Sequence, residues 1–151
     1  MNVCTKLCQT VKAVSLPIGG TYTVLLWLPM ASQITIGRLA QYTFPRGYYT
    51  YTGSAQRGLA ARLHRHLHGA ATRHWHLDYL RPYVRVLAWQ AYPGVTQPEC
   101  QLARRLMASG RLVAPKFGAS DCSCASHLVY YSGSRRPPWR VPGNSFVLSW
   151  S

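Results

Sequence analysis

Carboxylates are what this sequence is short of. Among its 151 residues only Asp78, Glu99 and Asp121 are acidic, against 17 lysines and arginines, and the formal net charge is +14. Lysine is scarce as well: Lys6, Lys12 and Lys116 are the only three, so the remaining cations are arginines. No apolar run approaches the roughly 20 residues of a membrane-spanning helix, which excludes insertion by that route. The opening MNVCTKLCQTVKAVSLPIGG lacks the continuous apolar stretch of a signal peptide. Five cysteines make an odd number, so reduced thiols in a cytoplasmic protein are the expectation. Internal repeats and low-complexity tracts are absent too.

What is present is a globular composition. Apolar residues make up 48% of the chain, enough to core one domain and too many for a disordered basic tail. Arginine is the cation suited to bidentate phosphate contacts and to stacking on bases. A surface this positive attracts polyanions at long range, and nucleic acid is the first partner to consider. A ribosomal-type structural protein and a binder of anionic membrane surfaces are the plainer alternatives.

Along the chain, GTYTVLLWL (20–28) and the alternating QITIGRL (33–39) read as strands, with ASQ between them as a hairpin turn. GYYTYTG (47–53) reads as a third strand bounded by glycines. In LAARLHRHL (59–67) leucines recur every fourth residue, the stripe of an amphipathic helix. RHWHLDYL (73–80) fits strand or helix. VRVLAWQAY (84–92) alternates as a strand. TQPECQLARRLMASG predicts a helix with Thr96 as N-cap, Pro98 in its first turn and Gly110 as terminator. After the polar loop FGASDCSCAS, HLVYYS reads as a short strand, and the final FVLSW as an edge strand packing back. The expectation is a single α/β domain: a small, mainly antiparallel central sheet flanked by helices. Residues 1–18 form a loosely ordered lead-in, 19–131 the domain, and 132–151 a basic, Pro-rich extension.

At this point the residues carry a likeness. Gly20-Thr21-Tyr22 on a first strand, Tyr51-Thr52-Gly53 on a later one, then Ser54-Ala55, Arg62, His66 and Glu99 in order resemble the GIY-YIG nucleases. The wider pattern, GYYTYTGSA through HWHLDYL to SDC.C.SHL, is similar to an uncharacterised branch found alone or fused to DNA-repair glycosylases. It covers roughly residues 19–131. Two features depart from the family pattern: residues 23–50, an enlarged segment, separate the two tyrosines, and Gly58 sets Arg62 one residue further from Gly53.

The resemblance implies that Tyr22 and Tyr51 converge on a scissile phosphate, that Arg62 and His66 serve the same centre, and that Glu99 binds a divalent metal. Spacing by itself puts Arg62 and His66 on one helix face, beside the leucine stripe, with His64, Arg65 and His68 turned outward. A solvated arginine and a boundary histidine would satisfy the same spacing. Strand tyrosines are usually packing residues with a wet hydroxyl, and a phenol near pKa 10 is a poor base at neutral pH without a cation or metal-bound water nearby. Gly53 would permit close backbone approach or simply turn the chain. A hard divalent cation prefers carboxylate oxygen, so such a site must use one of the three acids. Thr96-x-x-Glu99 is also a capping box, which accounts for a glutamate there without chemistry.

Ser54, His76, Asp78 and His127 are supporting candidates. On a strand His76 and Asp78 would share a face; an ion pair between Asp78 and a neighbouring arginine serves equally. Cys122, Cys124 and His127, with Cys100, offer zinc ligands, but the usual paired C-x-x-C is missing; a structural loop with Asp121 or His127 lining the site is the preferred reading. Arg57, Arg65, Arg73, Arg104 and Arg105, with Arg135, Arg136 and Arg140, would grip the phosphate backbone. The functional expectation is a Mg²⁺- or Mn²⁺-dependent DNA endonuclease selecting single strands or distorted duplexes. The alternatives are a non-catalytic nucleic-acid-binding protein and an RNA-processing nuclease.

Overall fold

β1 (Gly20–Leu28) is buried at every position but Trp27, on both faces. A strand so apolar has to lie inside a sheet, and it does. It pairs antiparallel with β4 (Gly47–Ala55) on one side and with β5 (Arg85–Pro93) on the other. β6 (Leu128–Tyr131) adds to β4, and β7 (Phe146–Ser149) adds to β5, giving the order β6-β4-β1-β5-β7. Every pairing is antiparallel. The computed structural model describes residues 19–93, 98–133, 135–140 and 146–149. The expected lead-in 1–18, with Cys4 and Cys8, and the expected N-cap Thr96 lie outside the described residues.

Helices cover both faces of the sheet. On one, α1 (Leu59–His68) and α2 (His76–Leu80) seat Leu59, Leu63, Leu67, Leu77 and Leu80 against Tyr22, Val24, Leu26, Tyr49, Tyr51 and Trp89. On the other, α3 (Glu99–Met107) seats Leu102 and Leu106 against Tyr92, Val129 and Tyr131. The molecule is thus a small single-domain α/β protein with an antiparallel central sheet and three flanking helices. Arg81, in a short 3₁₀ turn after α2, donates to the last carbonyls of α1, His66 O at 2.6 Å and Leu67 O at 2.5 Å, where a cation also suits the helix dipole. Among the described residues no helix is long and apolar enough to cross a membrane.

Three sequence expectations need correction. The first strand does not form a hairpin with the second. Gly37 adopts φ +48°, a left-handed conformation that reverses the chain, and β2 (Ser32–Ile36) pairs instead with β3 (Ala40–Phe44). That separate hairpin is the enlarged segment between Tyr22 and Tyr51, and Ile34, Ile36 and Phe44 tie it to the main core. The second correction concerns His76 and Asp78, which lie on a helix and so do not share a strand face. The last helix starts later than expected: Pro98 is its N-cap and Glu99 its first residue, so Pro98 is not in the first turn and Glu99 does not take the third position of a capping box. The other elements fall near where the pattern put them, and the end of the basic extension forms the expected edge strand. Its Trp139 packs on Leu25 and Ala88.

Candidate active site

Tyr22 lies directly across the sheet from Gly53, and Tyr51 is two residues before Gly53 on the same strand. Period-two alternation therefore puts both phenols on one face. Gly53 has no side chain, so the Tyr22 ring occupies the space above it; a Cβ there would collide with the phenol. The ring centroids stand 6.4 Å apart. Gly118, at φ +69°, brings its backbone against the edge of Tyr51, a fit that a Cβ would spoil.

Both tyrosines open onto a cavity of about 640 Å³ at the end of the sheet, with Gly53, Ser54, Arg57, Arg62, Trp75, His76, Glu99 and Asp121 on its walls. Arg62 projects from α1, donates to Ser54 O at 2.9 Å, and lays its guanidinium over the Trp75 ring at 4.1 Å. Gly58 adopts φ +69° just before α1, which accounts for the extra residue ahead of Arg62. Glu99 comes from the opposite face, at the first turn of α3, where a carboxylate suits the helix dipole. It reaches round the end of β4 to accept from Ser54 Oγ at 2.5 Å through Oε2. Its Oε1 stands 2.8 Å from His127 Nδ1.

The electrostatics follow. Burial opposes charge on Glu99, but His127, Ser54 and Arg62 outweigh it and hold the carboxyl below its usual range. Burial raises both phenols, with Arg62 pulling in the other direction on each. His66 is buried so completely that its pKa falls to about 3, and the imidazole is neutral. Burial also lowers His76, whose Nδ1 accepts from Gly118 N–H at 2.8 Å.

Of the residues expected from sequence, Tyr22, Tyr51, Gly53, Ser54, Arg57, Arg62, His76 and Glu99 meet on this cavity. Four do not. His66 stands behind the wall, its Nε2 2.7 Å from the Tyr22 hydroxyl, so what it holds is the phenol and not a phosphate. His127 likewise stands behind Glu99. Asp78 pairs with Arg65 at 2.9 Å and accepts from His74 N–H and Trp75 N–H at 2.8 Å each, the alternative weighed above. Arg65 is drawn to Asp78 while its side chain stays partly exposed. Arg73, Arg104 and Arg105 are exposed but off the cavity wall. Sequence reasoning passed over Trp75, the platform for Arg62; a tryptophan set between two histidines in a polar stretch was its only signal.

Cys100, Cys122 and Cys124 crowd together with His127 at the far side of Glu99. Within that group the thiols share hydrogen bonds unequally: contact with Cys124, burial and contact with Cys122 push Cys100 up to about 12. Cys124 moves the other way, because bonds from Cys100, His127 and Cys122 outweigh its burial.

Fold and site together define a small antiparallel α/β domain whose end cavity gathers two phenols, a stacked guanidinium and two carboxylates. The family model described as Domain of unknown function DUF123 matches residues 21–141, and the chain belongs to that family. No curated protein and no solved structure matches it.

Proposed function

We propose that this cavity is the active site of a divalent-metal-dependent endonuclease that hydrolyses phosphodiester bonds in DNA. The observation that carries the reading is the convergence of Tyr22, Tyr51, Arg62 and Glu99, from four separate elements, on one cavity. Their order also matches the resemblance of GTY and YTG to the GIY-YIG nucleases. Of the three acids Asp78 is spent on Arg65, which leaves Glu99 and Asp121 facing the cavity.

Those two fit a hard cation. Glu99 is ionised, and each of its oxygens has a single close protein partner and a lone pair to spare. Glu99, aided by Asp121, would hold Mg²⁺ or Mn²⁺, which when bound stabilises charge on the phosphate and the departing oxygen. The chain's own residues do the rest. Water attacks phosphorus in line, the bond to the 3′ oxygen breaks, and the products carry 5′-phosphate and 3′-hydroxyl ends. One of the two phenols, in its ionised form, takes the water proton, and solvent protonates the departing 3′ oxygen. Neutral His66 fixes Tyr22 by its hydrogen bond, and Arg62 lowers the cost of charge on both tyrosines. Arg62 also neutralises the developing phosphorane charge from a fixed position, since Ser54 O and Trp75 hold it there.

Exposed Arg57, Arg73, Arg104, Arg105, Arg135 and Arg140 would bind the backbone without regard to sequence. Trp75 offers a surface for an unpaired base, which favours single-stranded or distorted DNA. A cytoplasmic setting goes with this reading. The experiment is to incubate labelled single-stranded and duplex DNA, and RNA of the same sequence, with Mg²⁺, Mn²⁺ or EDTA. Metal-dependent DNA cleavage lost in Glu99→Ala supports the proposal. Cleavage surviving both chelation and the substitution refutes the metal assignment, binding without cleavage favours a plain nucleic-acid binder, and preference for RNA favours an RNA-processing nuclease.

A further inference from the structure

The connection between α3 and β6, residues 108–127, is longer than the roughly 12–15 residues usual for irregular loops in compact domains. Ala114 and Phe117 anchor part of it in the main core, but its later half covers a polar cluster. Cys100 in the first turn of α3 and Cys122, Cys124 and His127 in the loop each offer one ligand atom, and all four atoms lie within 4.8 Å of one another. The three cysteines are free thiols.

The distances match a metal site. His127 Nε2 is 3.7 Å from Cys100 Sγ and 3.6 Å from Cys122 Sγ. A tetrahedral centre with Zn–S of ~2.3 Å and Zn–N of ~2.0–2.1 Å places sulfur and nitrogen about 3.6 Å apart. A weak S–H donor could also sit near a ring nitrogen at such a separation, so spacing is only the first argument. The second is the donor set. Three thiols converge on one imidazole from two separate segments, and Cys124 is only 3% exposed and His127 2%. The third is the far side of the ring. Glu99 Oε1 lies 2.8 Å from Nδ1, while Nε2 faces the sulfurs of Cys100 and Cys122. Carboxylate, histidine and metal in that sequence is the usual way a ligand imidazole is oriented.

We infer that Cys100, Cys122, Cys124 and His127 bind zinc in a closed structural site, with Glu99 as the positioning residue for His127. The missing C-x-x-C is no obstacle, because the fold supplies Cys100 from a helix distant in sequence. The site pins the 108–127 loop to α3, and Asp121 and Gly118 of that loop line the neighbouring cavity.

The test uses the full chain, purified under reducing conditions from zinc-supplemented cells. Elemental analysis should find about one zinc per chain, the content of one four-ligand structural site. Replacement by Co²⁺ should give thiolate-to-cobalt charge-transfer bands and the strong visible bands of tetrahedral cobalt. Cys122→Ser and Cys124→Ser should lose both signals. If those variants fail to fold, the wild-type cobalt spectrum still decides. Glu99→Gln should retain the bands but bind cobalt about 10–100-fold more weakly, as for loss of an outer-shell partner. A folded protein without zinc, cobalt bound with no sulfur charge transfer, or a disulfide among the three cysteines would each overturn the assignment. None of these readouts involves cleavage. A protein inactive on nucleic acid yet showing the cobalt–thiolate spectrum would sink the nuclease reading alone.

Discussion

The ring of Tyr22 stands over the bare backbone of Gly53, its cross-strand partner, and fills the volume that any other residue at position 53 would need. Gly53→Ala should therefore force the phenol aside, at a cost of about 1–3 kcal/mol, as overpacking does. Urea denaturation measures the loss. Combining it with Tyr22→Ala should recover much of that cost, because the two changes share one contact. Strictly additive effects would show that the ring is not what the glycine accommodates.

Arg62 gives the second expectation. Arg62→Ala should lower cleavage on the order of 10²–10³-fold, the usual effect of removing one preorganised charge donor. Arg62→Lys should restore little, since an ammonium cannot donate to Ser54 O and lie flat on Trp75 together. Single-turnover rates with saturating protein separate this from weaker binding.

Acid should destabilise the fold through His66. Its folded pKa, about 3, lies below the ordinary value near 6.5, so the unfolded chain takes up a proton that the native state refuses. Stability should fall as pH drops through 6.5 and go on falling towards 3. Asp78 acts in the same direction over a lower window. Burial opposes its ionisation, but Arg65 and the N–H groups of Trp75 and His74 hold its carboxyl below the usual value, so its contribution is present above that value and lost as pH falls through the folded pKa. Melting curves at pH 7 and pH 4.5 should differ more for the wild type than for His66→Gln. An equal difference in both would remove His66 as the cause.

Phosphate binding by surface arginines should be salt-sensitive, with log K falling by roughly 0.7–0.9 per phosphate contacted for each tenfold rise in salt. Substituting Arg57 or Arg73 should shallow that slope by about one contact each. Arg65→Ala should change stability more than slope, because its guanidinium is committed to Asp78 and to Thr72 O at 2.6 Å.

Much of this was legible in the sequence because strand alternation and helix spacing are local rules. The GTY and YTG tripeptides lie on adjacent strands, and Leu59, Leu63 and Leu67 mark the buried face of α1. What stayed hidden depends on depth and on long-range contact. Spacing sets His66 beside Arg62 but does not say that Tyr22 stands between it and the cavity. The β2–β3 hairpin was missed because Gly37 falls inside a run that alternates across it. Asp78 shows how a short polar segment is settled by one cap: the carboxylate collects two backbone N–H groups and starts a helix where the pattern alone was undecided. Cys100 and Cys122 are neighbours only after α3 and the loop have packed.

The last strand has a further consequence. β7 covers the outer edge of β5 from Ala88 to Ala91, so part of the ladder of a longer, largely apolar strand is closed by a four-residue strand. Short outer strands deny other molecules a template for sheet extension. A chain clipped before Phe146 would expose that ladder, and self-association through β5, visible as light scattering on concentration, is the expected fate of the truncated protein.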